Sequence, residues 1–111
     1  MTITELNKYQ GVARETAIYP VDMKIVYPTL GLTGEAGEVA DKVKKVFRDN
    51  NGYLDEEYCH AIAMKLGDVL WYVANLATDL GYTLQDIAEM NYQKLQSRKE
   101  RNKLSGEGDD R

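Results

Sequence analysis

Apolar positions recur at three- and four-residue intervals along nearly the whole chain, and no stretch alternates apolar and polar residues for long. That period puts one apolar stripe on each helix and predicts an all-α class. A first helix is expected to start near Thr2 or Thr4, with Thr2 and Glu5 spaced as a capping box. It would carry Leu6, Tyr9, Ala13 and Ala17 inward and stop before Pro20. Two helix-unfriendly residues bound the segment from Pro20 to Pro28, which reads as a connector with a turn of helix. Its Met23 and Tyr27 either cover a pocket or plug the core. A second helix is predicted from about Thr29 to Phe47 on the stripe Leu32, Ala36, Val39, Val43, Val46, with Arg48 to Gly52 breaking it. A third runs from the N-cap Asp55 to Leu80, before Gly81 at C′, with Cys59, Ile62, Leu66, Val69, Val73, Leu76 and Leu80 as its core stripe. A fourth starts at Thr83, with Asp86 completing a T-x-x-D signal, carries Leu84, Ala88, Tyr92 and Leu95, and frays by Lys103. Residues 1–103 thus read as one helical domain. Residues 104–111, with no apolar side chain after Leu104, read as a flexible tail that needs an outside contact to be ordered.

Beside each core stripe, one residue toward the N-terminus, runs a polar stripe: Glu35, Glu38, Lys42, Lys45 on the second helix; Lys65, Asp68, Tyr72, Asn75, Asp79 on the third; Asn91, Lys94, Arg98 on the fourth. Residues three and four apart share a face. Each set therefore borders the buried side, and three such edges can converge on one cleft. Polar residues flanking a core stripe are also ordinary boundary residues. Glycines add to the picture, because a helical Gly costs roughly 1 kcal/mol relative to Ala. Gly34, Gly37 and Gly67 inside helices suggest close approach of another helix or a ligand.

At 111 residues the chain holds one domain. One His and one Cys cannot complete a nitrogen and sulfur zinc site, so any metal would be held by oxygen. On the core stripe, Cys59 reads as an inert packed thiol. A formal net charge of −4 disfavours a specific nucleic-acid partner. The basic run from Arg98 to Lys103 reads as a solvated last helical turn. No run approaches the ~18–20 apolar residues of a bilayer span and the first ten residues hold no apolar signal core, so a cytoplasmic location without membrane contact is expected. The third helix, roughly 37 Å long, is too long for so small a chain to cover, which implies a homodimer or a homotetramer. No P-loop, nucleophile elbow or kinase signature is present.

Glu35, Glu38 and Asp68 place three carboxylates on two neighbouring helices, which suits Mg²⁺ or Mn²⁺. Across the cleft, Lys94 and Arg98 can neutralise phosphate oxygens, with Asn91 as a neutral partner, while Trp71 and Tyr72 offer flat faces to a nucleobase.

The segments G-E-A-G-E-V-A-D (Gly34 to Asp41) and L-G-D-V-L-W-Y (Leu66 to Tyr72) resemble the MazG-type all-α nucleoside triphosphate pyrophosphohydrolases. The likeness extends to T-A-I-Y-P (Thr16 to Pro20), Y-P-T-L-G-L-T-G, K-L-Q-S-R-K and the last six residues, G-E-G-D-D-R. It implies an oligomeric four-helix bundle that hydrolyses the α–β phosphate link of a nucleoside triphosphate to give monophosphate and pyrophosphate, as in house-cleaning of nucleotide pools. It further implies Glu35, Glu38 and Asp68 as metal ligands, matching three of the four acids of an E-x-x-E … E-x-x-D scheme. Lys65 stands where the fourth acid is expected, so the cluster falls from four negative charges to a net two. On this reading Mg²⁺ or Mn²⁺ is the cofactor, Glu38 the base, and Lys42, Tyr72, Asn91, Lys94 and Arg98 contact the substrate. Lys65 also motivates an alternative, a catalytically weak or silent member that binds nucleotide or a partner; a purely structural helical module is the third possibility.

Overall fold

Local caps set several of the helix ends in the computed structural model, which describes residues 5–111. The expected capping box on Thr2 lies outside them. Helix α1 spans Leu6–Glu15, a single 3₁₀ turn covers Val21–Met23, and α2 Val26–Asn50, α3 Glu56–Leu80 and α4 Leu84–Glu100 follow. Among the described residues there is no strand. Asp55 Oδ1 accepts the Tyr58 N–H at 2.9 Å and fixes the start of α3, while Gly81, at φ 86°, ends it. Thr83 and Asp86 form the reciprocal capping box of α4.

The second helix departs from expectation at both ends. It begins three residues early because Pro28 sits in its first turn, where no intrahelical partner awaits its missing N–H, and the ring is fully buried. At the far end Arg48, Asp49 and Asn50 continue the helix, and the break falls at Asn51 and Gly52, with φ 54° and 77°. Ala17 lies past the end of α1. Helices α2 and α3, 25 residues each, form an antiparallel hairpin whose facing positions include Gly31 with Tyr72 and Glu38 with Lys65.

The core is small and sits where α1, the second half of α3 and the start of α4 meet. Ala13, Ala74, Ala77 and Leu84 are buried there, with Tyr9, Trp71, Val73 and Ile87 packed around them. Gln10 ties the three helices together: its amide donates to Thr78 Oγ1 and the Tyr82 carbonyl, each at 2.9 Å, and its carbonyl accepts the Leu84 N–H at 2.8 Å. The expected α3 core stripe holds in part, with Ile62, Val69, Val73 and Leu76 partly buried. The chain buries Ala74, Asn75, Ala77 and Asp79 of α3 and leaves Leu66 and Leu80 half exposed and Cys59 exposed. The small side chains of Ala74 and Ala77 admit the close approach of α1.

A further expectation changes. A Cβ at Gly31 would overlap the Tyr72 ring, whereas Gly34, Gly37 and Gly67 face open space within the chain. The tail also makes contacts within the chain. Arg98 is buried and donates to the Asp109 carbonyl at 2.7 Å, and Arg111 donates to the carbonyls of Lys103, Leu104 and Gly108. Arginine forks, with five N–H donors each, fold the tail back against the end of α4.

Candidate functional site

Two of the three polar edges converge. Glu35 and Glu38, one turn apart on α2, face Lys65 and Asp68, one turn apart on α3, because the hairpin sets the two polar stripes side by side. At the centre stands the Lys65 ammonium. Its Nζ lies 2.7 Å from Glu38 Oε2, 3.5 Å from Glu35 Oε2 and 3.7 Å from Asp68 Oδ2. The Lys65 ammonium bonded to Glu38 titrates above its ordinary range, since the bonded carboxylate favours the charged form. Reciprocally, Lys65 holds the Glu38 carboxyl below the usual range. Glu35 goes the other way, raised first by its shared hydrogen bond with Glu38 and then by burial.

The cluster opens into a cleft of about 390 Å³ lined by Thr16, Glu35, Asp68, Trp71 and Tyr72. Trp71 is fixed by its indole N–H, which donates to Thr16 Oγ1 at 2.7 Å, and its ring meets Tyr72 edge-on at 4.9 Å. Behind Tyr72 lies Tyr27, 6.3 Å away, and Tyr19 stacks on Tyr27 at 4.9 Å. Tyr27 therefore supports the Tyr72 ring and does not itself line the cleft.

That aromatic wall hangs on a polar lock that the sequence pattern concealed. Ile25 has φ 70° and ψ −51° at the centre of a γ-turn closed by the Val26 N–H to the Lys24 carbonyl at 2.8 Å. Positive φ is strained for a β-branched residue. Asp79 Oδ2 accepts the Ile25 N–H at 2.9 Å and the Tyr19 hydroxyl at 2.8 Å. Arg14 reaches Asp79 Oδ1 at 2.9 Å as an ion pair without an aligned hydrogen bond, and also donates to Tyr19 and to Asn75 Oδ1. Burial alone would raise the Asp79 carboxyl; the Ile25 amide, Tyr19 and Arg14 together hold it below its ordinary value. Its only sequence signal was membership of the polar stripe of the third helix.

The remaining candidates lie elsewhere. Lys42 lines a separate cavity of about 230 Å³ with Lys45, Glu57, Tyr58 and Ala61, toward the loop end of the hairpin. Helix α4 packs chiefly on α1 and α3, and none of its residues lines the carboxylate cleft. Asn91 and Lys94 are exposed on it, and Arg98 is engaged by the tail. The third polar edge thus does not reach the cluster within one chain, since α4 packs chiefly on α1 and α3, not on α2.

Comparison with known proteins bears on the family of the chain. A MazG nucleotide pyrophosphohydrolase domain profile matches residues 28–102, which include the whole acidic cluster. The chain is also 47% identical over 109 residues to the Gene 37 protein of Mycobacterium phage L5, covering 93% of this chain and 96% of that relative. No solved structure gives a significant match. With an all-helical fold, an α2–α3 acidic hairpin and a domain match across two thirds of its length, the chain belongs to the MazG nucleotide pyrophosphohydrolase domain family.

Proposed function

We propose that the chain acts on nucleoside triphosphates, cleaving the α–β phosphate link to release a nucleoside monophosphate and pyrophosphate. The observation that carries this reading is the cleft itself, in which carboxylates of Glu35 and Asp68 stand beside the rings of Trp71 and Tyr72. A base stacked on those rings would set its phosphates near the acidic cluster. Water then adds to the α-phosphorus, its proton passes to a carboxylate, and the bond to the pyrophosphate oxygen breaks. Glu35, whose carboxyl is raised, is a better proton acceptor than Glu38, which Lys65 holds ionised and weakly basic.

Family membership implies a divalent metal, and Mg²⁺ or Mn²⁺ on Glu35, Glu38 and Asp68 was the expectation. The donors do not fit one as arranged. Among the described residues no three such groups are placed to hold a metal ion, and the point that these carboxylates share is taken by Lys65 Nζ. No step is therefore assigned to a metal.

A second reading is favoured by the same lysine: a member that binds nucleotide with weak or no turnover. A triphosphate panel assayed for pyrophosphate separates the readings. Saturable release supports the first, nucleotide-induced thermal stabilisation without release supports the second, and neither effect returns the chain to a structural module.

The functional unit is proposed to be a homodimer or homotetramer. Val43 and Phe47 on α2 and Leu66 and Leu70 on α3, each pair one turn apart, are 40–69% exposed, an apolar surface that a second copy would cover. Asn91 and Lys94 would meet substrate only in the cleft of such a copy. No helix of the described residues is long and apolar enough to cross a membrane.

A further inference from the structure

A lysine ammonium carries three N–H donors and can serve three carboxylates at once. Lys65 donates to Glu38 and Glu35 and pairs with Asp68 at 3.7 Å, from a side chain only 27% exposed, where a solubilising lysine would extend into water. A hard divalent ion needs several oxygens converging at about 2.0–2.6 Å, and in this molecule the convergence point of Glu35, Glu38 and Asp68 is the ammonium nitrogen. The positive charge also opposes a second cation there, while removal of the lysine would leave three carboxylates repelling one another around an open position.

We propose that Lys65 is the resident cation of this site: its ammonium takes the place among Glu35, Glu38 and Asp68 that a protein-bound divalent ion would need. The free protein consequently takes up neither Mg²⁺ nor Mn²⁺ in the cluster, and any divalent ion involved in triphosphate recognition arrives on the phosphates. That last clause rests on the triphosphate reading above; the rest does not.

The test is a Mn²⁺ titration of the full chain without nucleotide, followed by the electron paramagnetic resonance signal of the free ion. The parent should show no saturable uptake in the micromolar range. Lys65→Met should bind Mn²⁺ at least about tenfold more tightly than the parent, and Lys65→Glu at least about a hundredfold, as a repelling charge is removed and then replaced by a ligand. Circular dichroism would confirm that each variant is helical. A parent that takes up Mn²⁺ with micromolar affinity overturns the proposal without any variant, and a folded Lys65→Met that binds no better than the parent overturns it as well. A parallel thermal-shift series with triphosphates, with and without Mg²⁺, isolates the other reading: no stabilisation by any triphosphate would sink the nucleotide site and leave the Mn²⁺ titration to decide Lys65 alone.

Discussion

Replacing Asp79 by Asn keeps the shape of the side chain and removes its charge. In the folded chain this carboxylate is fully enclosed, with Ile25 N–H and Tyr19 O–H on one oxygen and Arg14 beside the other. Hydrogen bonds to a charged group contribute about 1.5–3 kcal/mol against about 0.5–1.5 for neutral ones, so two such bonds weaken by about 1–3 kcal/mol together. The loss of the Arg14 pair adds only about 1 kcal/mol, because that side chain is 40% exposed and water takes over much of its solvation. An amide NH₂ would then face the guanidinium, donor against donor. The expected loss is about 2–4 kcal/mol, or roughly 8–32 °C in Tm at about 4–8 °C per kcal/mol for a domain of this size. Urea unfolding at pH 7, followed by far-ultraviolet circular dichroism, measures it directly. The pH dependence has a definite sign: the folded Asp79 carboxyl titrates below its ordinary 3.8. Its stabilisation is therefore fully present above the unfolded value and is lost as pH falls through the lower folded value, that is, below about pH 4. Asp79→Asn should lack that acid-limb loss. A change under about 0.5 kcal/mol at pH 7, or an acid limb identical to the parent's, would refute the polar lock as the support of the strained Ile25 turn.

Gly31→Ala should cost about 1–3 kcal/mol, because its Cβ meets the Tyr72 ring, whereas Gly67→Ala should gain up to about 1 kcal/mol in an open helical position; equal effects in denaturant unfolding would contradict that contrast. Arg98→Ala should lower stability by about 1–2 kcal/mol by freeing the tail from α4, and rapid amide exchange at residues 104–111 in the parent would deny the contact. Sedimentation should show a species larger than 12.6 kDa at micromolar concentration; a monomer there would remove the second copy from the proposed functional unit.

Features governed by neighbours within a few residues were legible in the chain itself. Asp55, Gly81 and the Thr83–Asp86 pair gave three helix ends correctly, since caps depend on backbone groups two or three residues away. The polar stripes on the second and third helices were likewise legible as a pair, because a short connection makes an antiparallel hairpin and an antiparallel hairpin brings its edges together. Tertiary structure decided what depends on partner choice. It buried Ala74 and Ala77 of α3 most deeply and left Leu66 and Leu80 half exposed, carried the Asn91–Lys94 edge away from the carboxylates, and laid the tail over Arg98. It also set Lys65 among three acids, a position no one-dimensional spacing specifies, because a four-carbon side chain can point to solvent or to any of several carboxylates and only the packed hairpin selects among them.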